Sequence, residues 1–196
     1  MTLNYPRSAL IIIDIQNDFC PGGALAVENG DEVIEPLNRL ASLFASKEGR
    51  VVVTQDWHPS DHSSFGIWPS HCVQGAIGAE FHTALNLEPV NLIIRKGFRK
   101  QLDSYSAFFE NDRLTSTGLD GYLKALSVDT LVLGGLATDY CVLYSALDAA
   151  ALGYKTIVAH DAIRGVDLPA GSVDRALKLL DESGIIIIES GELHGF

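Results

Sequence analysis

At 196 residues, with 47% of them apolar and 20% charged, the chain can bury one sizeable core and leaves little room for extended disorder. Its 14 Lys and Arg against 25 Asp and Glu give a net charge of −11, a field that repels phosphate backbones and anionic lipid and argues against nucleic-acid or membrane partners. No stretch reaches the roughly 20 apolar residues of a membrane span, and Asp14 interrupts the one apolar run near the N-terminus.

The first predicted element is a strand over 8 to 14 (SALIIID), followed by a helix over about 31 to 48 and a second strand over 50 to 56 (RVVVTQD). Strands then recur at 91 to 96 (NLIIRK), 129 to 135 (DTLVLGG), 155 to 161 (KTIVAHD) and 184 to 190 (GIIIIES). Helices are predicted between most of them, at about 118 to 127, 138 to 152 and 170 to 183. The strands are continuous apolar runs without alternation, as a sheet covered on both faces requires. The pattern predicts an α/β fold, a doubly wound three-layer sandwich with a six-stranded, mostly parallel sheet, spanning residues 1–196 as a single domain. The stretch 57–88 breaks the pattern, being rich in His, Pro, Ser and Gly with neither period, and is too long for an idle loop. It reads as a functional insertion.

Ligands of open parallel sheets bind beyond the carboxyl ends of the strands. Asp14 ends the first strand, Asp56 and His58 the second and Lys96 the third, and Cys141 lies just past the fourth in GGLATDYC. Each could be an ordinary polar residue where the chain leaves the core, but together they bring carboxylates, an imidazole, an ammonium and a thiol to one edge.

Cys141 has the strongest local case. With Thr138 or Asp139 as N-cap, it falls in the first turn of the next helix, where unpaired N–H groups favour a thiolate and could face a developing oxyanion. The alternative is a buried thiol packing like a small apolar residue, which is the reading adopted for Cys20 and Cys72. Lys96, after an apolar strand, needs a carboxylate partner, and Asp14 is the natural one; Asp14 could also take the thiol proton. Three cysteines without CxxC spacing fit a reducing compartment, so cytoplasm is the expected location.

The segment DWHPSDHSSFGIWPSHC supplies Asp56, His58, His62 and His71. An Asp-x-His pair closed by a third ligand from a later turn would form a two-His-one-carboxylate metal set. Solvated loop histidines are the alternative.

Five pieces in order, DxQNDF at 14–19, DWHP at 56–59, WPSHCVQG at 68–75, KG at 96–97 and GGLATDYCV at 134–142, closely resemble the nicotinamidases of the isochorismatase-like cysteine hydrolase superfamily. The resemblance runs from residue 8 to about residue 161. It implies a triad of Asp14, Lys96 and Cys141, the residues already selected at the strand ends, and one divalent metal ion (Zn, Fe or Mn) on Asp56, His58 and His71. His62 matches a position that is an additional ligand in only some relatives. The resemblance further implies substrate-ring contacts from Phe19, Trp68 and, more loosely, Tyr105. It also implies a cis peptide before Ala137, with the Ala137 and Cys141 amides forming an oxyanion hole.

The activity so implied is metal-dependent hydrolysis of nicotinamide to nicotinate and ammonia through a thioester, in NAD salvage, with pyrazinamide as a further substrate. The rivals are another superfamily hydrolase, such as an isochorismatase or an N-carbamoyl amide hydrolase, and an inactive ligand-binding protein. The metal motif argues against the first and the full set of competent residues against the second. The sequence leaves the identity of the metal and any homo-oligomeric state open.

Overall fold

The computed structural model describes residues 2–193. Six strands, β1 (Ser8–Ile13), β2 (Arg50–Asp56), β3 (Leu92–Lys96), β4 (Thr130–Leu136), β5 (Lys155–Arg164) and β6 (Ile186–Ile188), form one sheet in the order β3-β2-β1-β4-β5-β6. All five pairings are parallel, so the expected mostly parallel sheet is parallel throughout.

Buried strand residues alternate between two cores. Leu10 and Ile12 pack with Leu37 and Phe44 of α1 (Ile34–Ser46) on one face. Ile11 and Ile13 pack on the other with Leu119 and Leu123 of α2 (Leu119–Ala125), Ala146 of α3 (Leu143–Ala151) and Leu180 of α4 (Ser172–Glu182). Helix α1 buries Leu37, Leu40, Ala41 and Phe44, the spacing of a single helical face. The result is the three-layer, doubly wound architecture that continuous apolar strands demand.

Element boundaries differ from the sequence expectation where local geometry intervenes. The first helix opens with a tight turn over Gly30–Val33, and edge strand β6 pairs over only three residues. Strand β5 runs on to Arg164, past the expected 161.

The chain winds outward from β1 to β3, then returns to place β4 on the other side of β1. The sheet therefore reverses its order between β1 and β4, the switch point at which a crevice opens. Gly135 permits the close approach there: at φ +127°, a Cβ would run into the main chain of Ile13. The 57–88 stretch is folded over this edge by two short turns, Ser63–Gly66 and Ile77–Ala79, and by bridges between His58 and Val73 and between Gln16 and Phe81. Among the described residues no helix is long and apolar enough to cross a membrane.

Candidate active site

Register carries the strand ends into contact. Asp56 is the partner of Lys96 across β2 and β3, and Asp14 leaves β1 in the left-handed conformation, φ 52°. The Lys96 ammonium, fully buried, lies 2.8 Å from Asp14 Oδ2 and donates to Asp56 Oδ1 at 2.5 Å, to the Ser104 carbonyl at 3.0 Å and to Cys141 Sγ at 3.5 Å. The expected Asp14–Lys96 pair is thus present, with Asp56 as a second carboxylate on the same ammonium.

The two carboxylates differ. Burial, only partly offset by Lys96, raises the Asp14 carboxyl to about 6. Asp56 is equally buried, but the Lys96 ammonium, foremost among its neighbours, outweighs the desolvation and holds it well below the usual carboxylate range. Asp14 Oδ1 accepts from Thr54 Oγ1 at 2.6 Å, whereas Oδ2 faces Lys96 off the line of a hydrogen bond, which leaves it able to take a proton. Burial also pushes the Cys141 thiol well up, against the pull of Lys96. The resting site is a neutral thiol beside a carboxyl group titrating in the useful range for a base.

Cys141 sits in a π-type turn, Thr138–Val142, that leads into α3. The Ala137 carbonyl accepts from both Tyr140 N and Val142 N, and the Leu136–Ala137 peptide is cis. Neither Thr138 nor Asp139 is the N-cap expected from the sequence. That position is Ala137, and no side chain caps the turn. The buried Asp139 carboxylate instead accepts from Val166 N and Asp167 N, both at 3.0 Å, and from Ser172 Oγ at 2.5 Å. Three donors from a distant segment outcompete the local amides.

The imidazoles stand on the other side of Asp56. One acceptor atom from each of Asp56, His58 and His71 lies within 4.8 Å of the others, and all three residues are buried. His58 Nδ1 donates to the Gly97 carbonyl at 2.7 Å and His71 Nδ1 to the Pro69 carbonyl at 2.7 Å. Those bonds assign the proton to Nδ1 and leave each Nε2 with a lone pair. His58 Nε2 lies 3.6 Å from Asp56 Oδ2 and is buried without a hydrogen-bond partner among the described residues, a costly state that a cation would relieve, so this donor set fits a divalent metal.

His62 stacks on His58, with ring centroids 4.2 Å apart, and directs both nitrogens to protein atoms, Ser64 Oγ at 2.6 Å and the Leu102 carbonyl at 3.3 Å. Its reach toward a cation lies in a separate group with His58 and Asp103. Asp14, Asp56 and Cys141 also cluster, but the Lys96 ammonium already occupies the space between them.

A pocket of about 460 Å³, its open mouth included, joins the two halves. Phe19, Trp68 and Tyr105 all line it, together with Ala137, Cys141 and His71. Phe19 meets the His71 ring at 5.5 Å, Trp68 Nε1 donates to the Tyr105 hydroxyl at 3.2 Å, and Tyr140 stands edge-on to Trp68 at 5.1 Å. Sequence reasoning missed Leu25, Asp103, Tyr140 and Val166 in this wall. The positions of Tyr140 beside Cys141 and of Asp103 in the DSYS segment were the available signals; Leu25 and Val166 carried none.

The isochorismatase domain model matches residues 8–192. A nicotinamidase of Acinetobacter baylyi is 45% identical over 93% of this chain and 92% of its own length. Among solved structures, PnC1 from L. infantum in complex with nicotinate is 35% identical with a TM-score of 0.93, covering 100% of this chain and 99% of that one. The pyrazinamidase of Pyrococcus horikoshii in complex with zinc is 37% identical with a TM-score of 0.84, covering 94% and 99%.

Proposed function

The chain belongs to the isochorismatase domain family, and from that premise we propose that it hydrolyses nicotinamide to nicotinate and ammonia with Cys141 as nucleophile, and pyrazinamide likewise. The observation that carries the reading is the meeting, in one aromatic-walled pocket, of a thiol backed by a carboxyl–ammonium pair and of imidazoles with unspent lone pairs.

Asp14 takes the Cys141 proton and the thiolate attacks the carboxamide carbon. The carbonyl oxygen becomes an oxyanion, for which the amides of Ala137 and Cys141 are the assigned donors. Protonated Asp14 then gives its proton to the departing nitrogen, so ammonia leaves and a thioester remains on Cys141. In the second half, Asp14 removes a proton from water, the hydroxide attacks the thioester, and the returning proton restores the thiol as nicotinic acid departs and ionises to nicotinate in water. Lys96 stays charged throughout: burial disfavours its ammonium, but the two carboxylates and the thiol site outweigh burial and hold its pKa well above the ordinary value. It keeps Asp56 ionised and offsets negative charge at sulfur.

Asp56, His58 and His71 would hold one divalent metal ion, zinc, iron or manganese by donor type, with His62 as a variable contributor. Bound there, the ion would supply a Lewis-acid seat for the pyridine or pyrazine nitrogen. Phe19, Trp68 and Tyr105 then clamp the ring. The zinc complex of the Pyrococcus pyrazinamidase supports zinc as the first ion to try. We read the chain as one hydrolase domain with the 57–88 insertion, acting in NAD salvage. Its three free cysteines support a cytoplasmic setting.

The test is ammonia release from nicotinamide and pyrazinamide by the purified chain, with and without a chelator. Release that needs both Cys141 and metal is expected; near-normal release by Cys141→Ala would overturn the assignment.

A further inference from the structure

The DxQNDF segment contributes Asp14 and Phe19 to the site, yet Gln16 and Asp18 between them are absent from the pocket wall. Both are spent on the main chain that carries the metal ligands. The Gln16 side chain, fully buried, donates to the Asp56 carbonyl at 2.8 Å and the Ala79 carbonyl at 2.9 Å, and accepts from Asp56 N at 2.8 Å. Its amide thereby grips Asp56 on both sides of the Cα, with both donor hydrogens engaged.

Asp18 does the equivalent for the histidines. Its Oδ2 accepts from Cys72 N at 2.7 Å and its Oδ1 from Ala24 N at 3.1 Å. Cys72, the residue after His71, is left-handed at φ 45°, a conformation that a cysteine adopts only when its surroundings impose it. The charge-assisted bond from Asp18 to its amide is such an imposition. The carbonyl of the same residue accepts from His58 N at 2.9 Å, and Gln74 N returns a bond to the His58 carbonyl at 2.8 Å. One carboxylate therefore sets the turn after His71 and, through Cys72, the main chain of His58. Gly78 makes room for it: a Cβ there would run into the Asp18 carboxylate.

We propose that Gln16 and Asp18 are positioning residues for the metal ligands, Gln16 fixing Asp56 and Asp18 fixing His71 and His58. The segment that supplies the base Asp14 thus also sets the geometry of the cation site. This rests on the metal reading above. Outer-shell partners of this kind are worth about 10- to 100-fold in metal affinity when lost.

The experiment measures Zn²⁺ affinity by chelator competition, and the unfolding midpoint with and without Zn²⁺, on the full chain. The variants are Asp18→Asn, which offers one of the two amides only a neutral oxygen and sets an NH2 donor against the other, and Gln16→Met, which keeps the length and removes all three bonds. Asn17→Ala is the control, because among the described residues its side chain hydrogen-bonds only to the Ile77 carbonyl, at 2.8 Å. Both variants are expected to bind Zn²⁺ about 10- to 100-fold more weakly, with a smaller midpoint gain on adding metal, while the control stays within about threefold. Affinities within about threefold of the unmodified chain, or an equal loss in Asn17→Ala, would overturn the proposal. Should Gln16→Met not fold, Asp18→Asn decides alone. If the unmodified chain binds no Zn²⁺, the metal reading itself fails and takes this proposal with it.

Discussion

The two halves of the site, which share Asp56, are finished to different degrees. On the Lys96 side every strong charge is answered within the protein: the ammonium meets two carboxylates, a carbonyl and the sulfur at once. On the imidazole side each Nδ1 is held by a carbonyl, but His58 Nε2, buried 3.6 Å from Asp56 Oδ2, makes no hydrogen bond among the described residues. Under the proposed function the difference teaches that the cysteine side is assembled by folding alone, whereas the imidazole side is shaped by folding and left for a cation to complete. Burial without a partner is tolerated where a ligand will supply one.

Several changes would break or sharpen that contrast. Cys141→Ala should cost on the order of 10³-fold or more in kcat while leaving Zn²⁺ affinity intact; a parallel loss of metal would mean the halves are not separable. Lys96→Met strands two carboxylates in the interior and should destabilise the fold by about 3 to 5 kcal/mol, read as a lower urea midpoint, besides abolishing turnover. Chelation should act on the other half only. With free metal at about 100 times its Kd, removing it should cost about 2.7 kcal/mol of apparent stability, and His71→Ala should show no such chelator response.

Tyr105→Phe removes the acceptor of the Trp68 indole and should raise KM several-fold, about 0.5 to 1.5 kcal/mol, with kcat little changed. The smallest effect concerns a thiol outside both halves. Burial, with Asp31 nearby, raises Cys20 to about 11. Because the folded state holds that proton more tightly than the unfolded chain, this contribution to stability is complete below the ordinary thiol value of about 9 and is lost as pH rises through about 11. Cys20→Ala should flatten the alkaline limb of the stability profile; an unchanged limb would assign it to other groups.

Much of the molecule was legible in the sequence. All six strands were recognisable because a parallel sheet writes itself as continuous apolar runs. Strand-end chemistry pointed to Asp14, Asp56, His58, Lys96 and Cys141 because ligands meet such sheets at their carboxyl edges. The N-cap expectation for Asp139 failed for a physical reason. A carboxylate near a helix start is normally a cap, but this one finds Val166, Asp167 and Ser172, and nothing within the turn announces them.

What the sequence determined by itself was therefore the order of the elements, the edge at which chemistry gathers and the residue types available there, since each follows from local period and strand polarity. What only the tertiary structure decided was the choice of partners: Asp56 answering Lys96 as well as the imidazoles, Asp139 holding a distant segment, Gln16 and Asp18 gripping the ligand turns. Those choices depend on which strands are neighbours and in what register, as where Asp56 meets Lys96 across forty residues of chain. Local patterns carry no record of such pairings, because a hydrogen bond is settled by distance in space and by the competition among every donor the fold brings near.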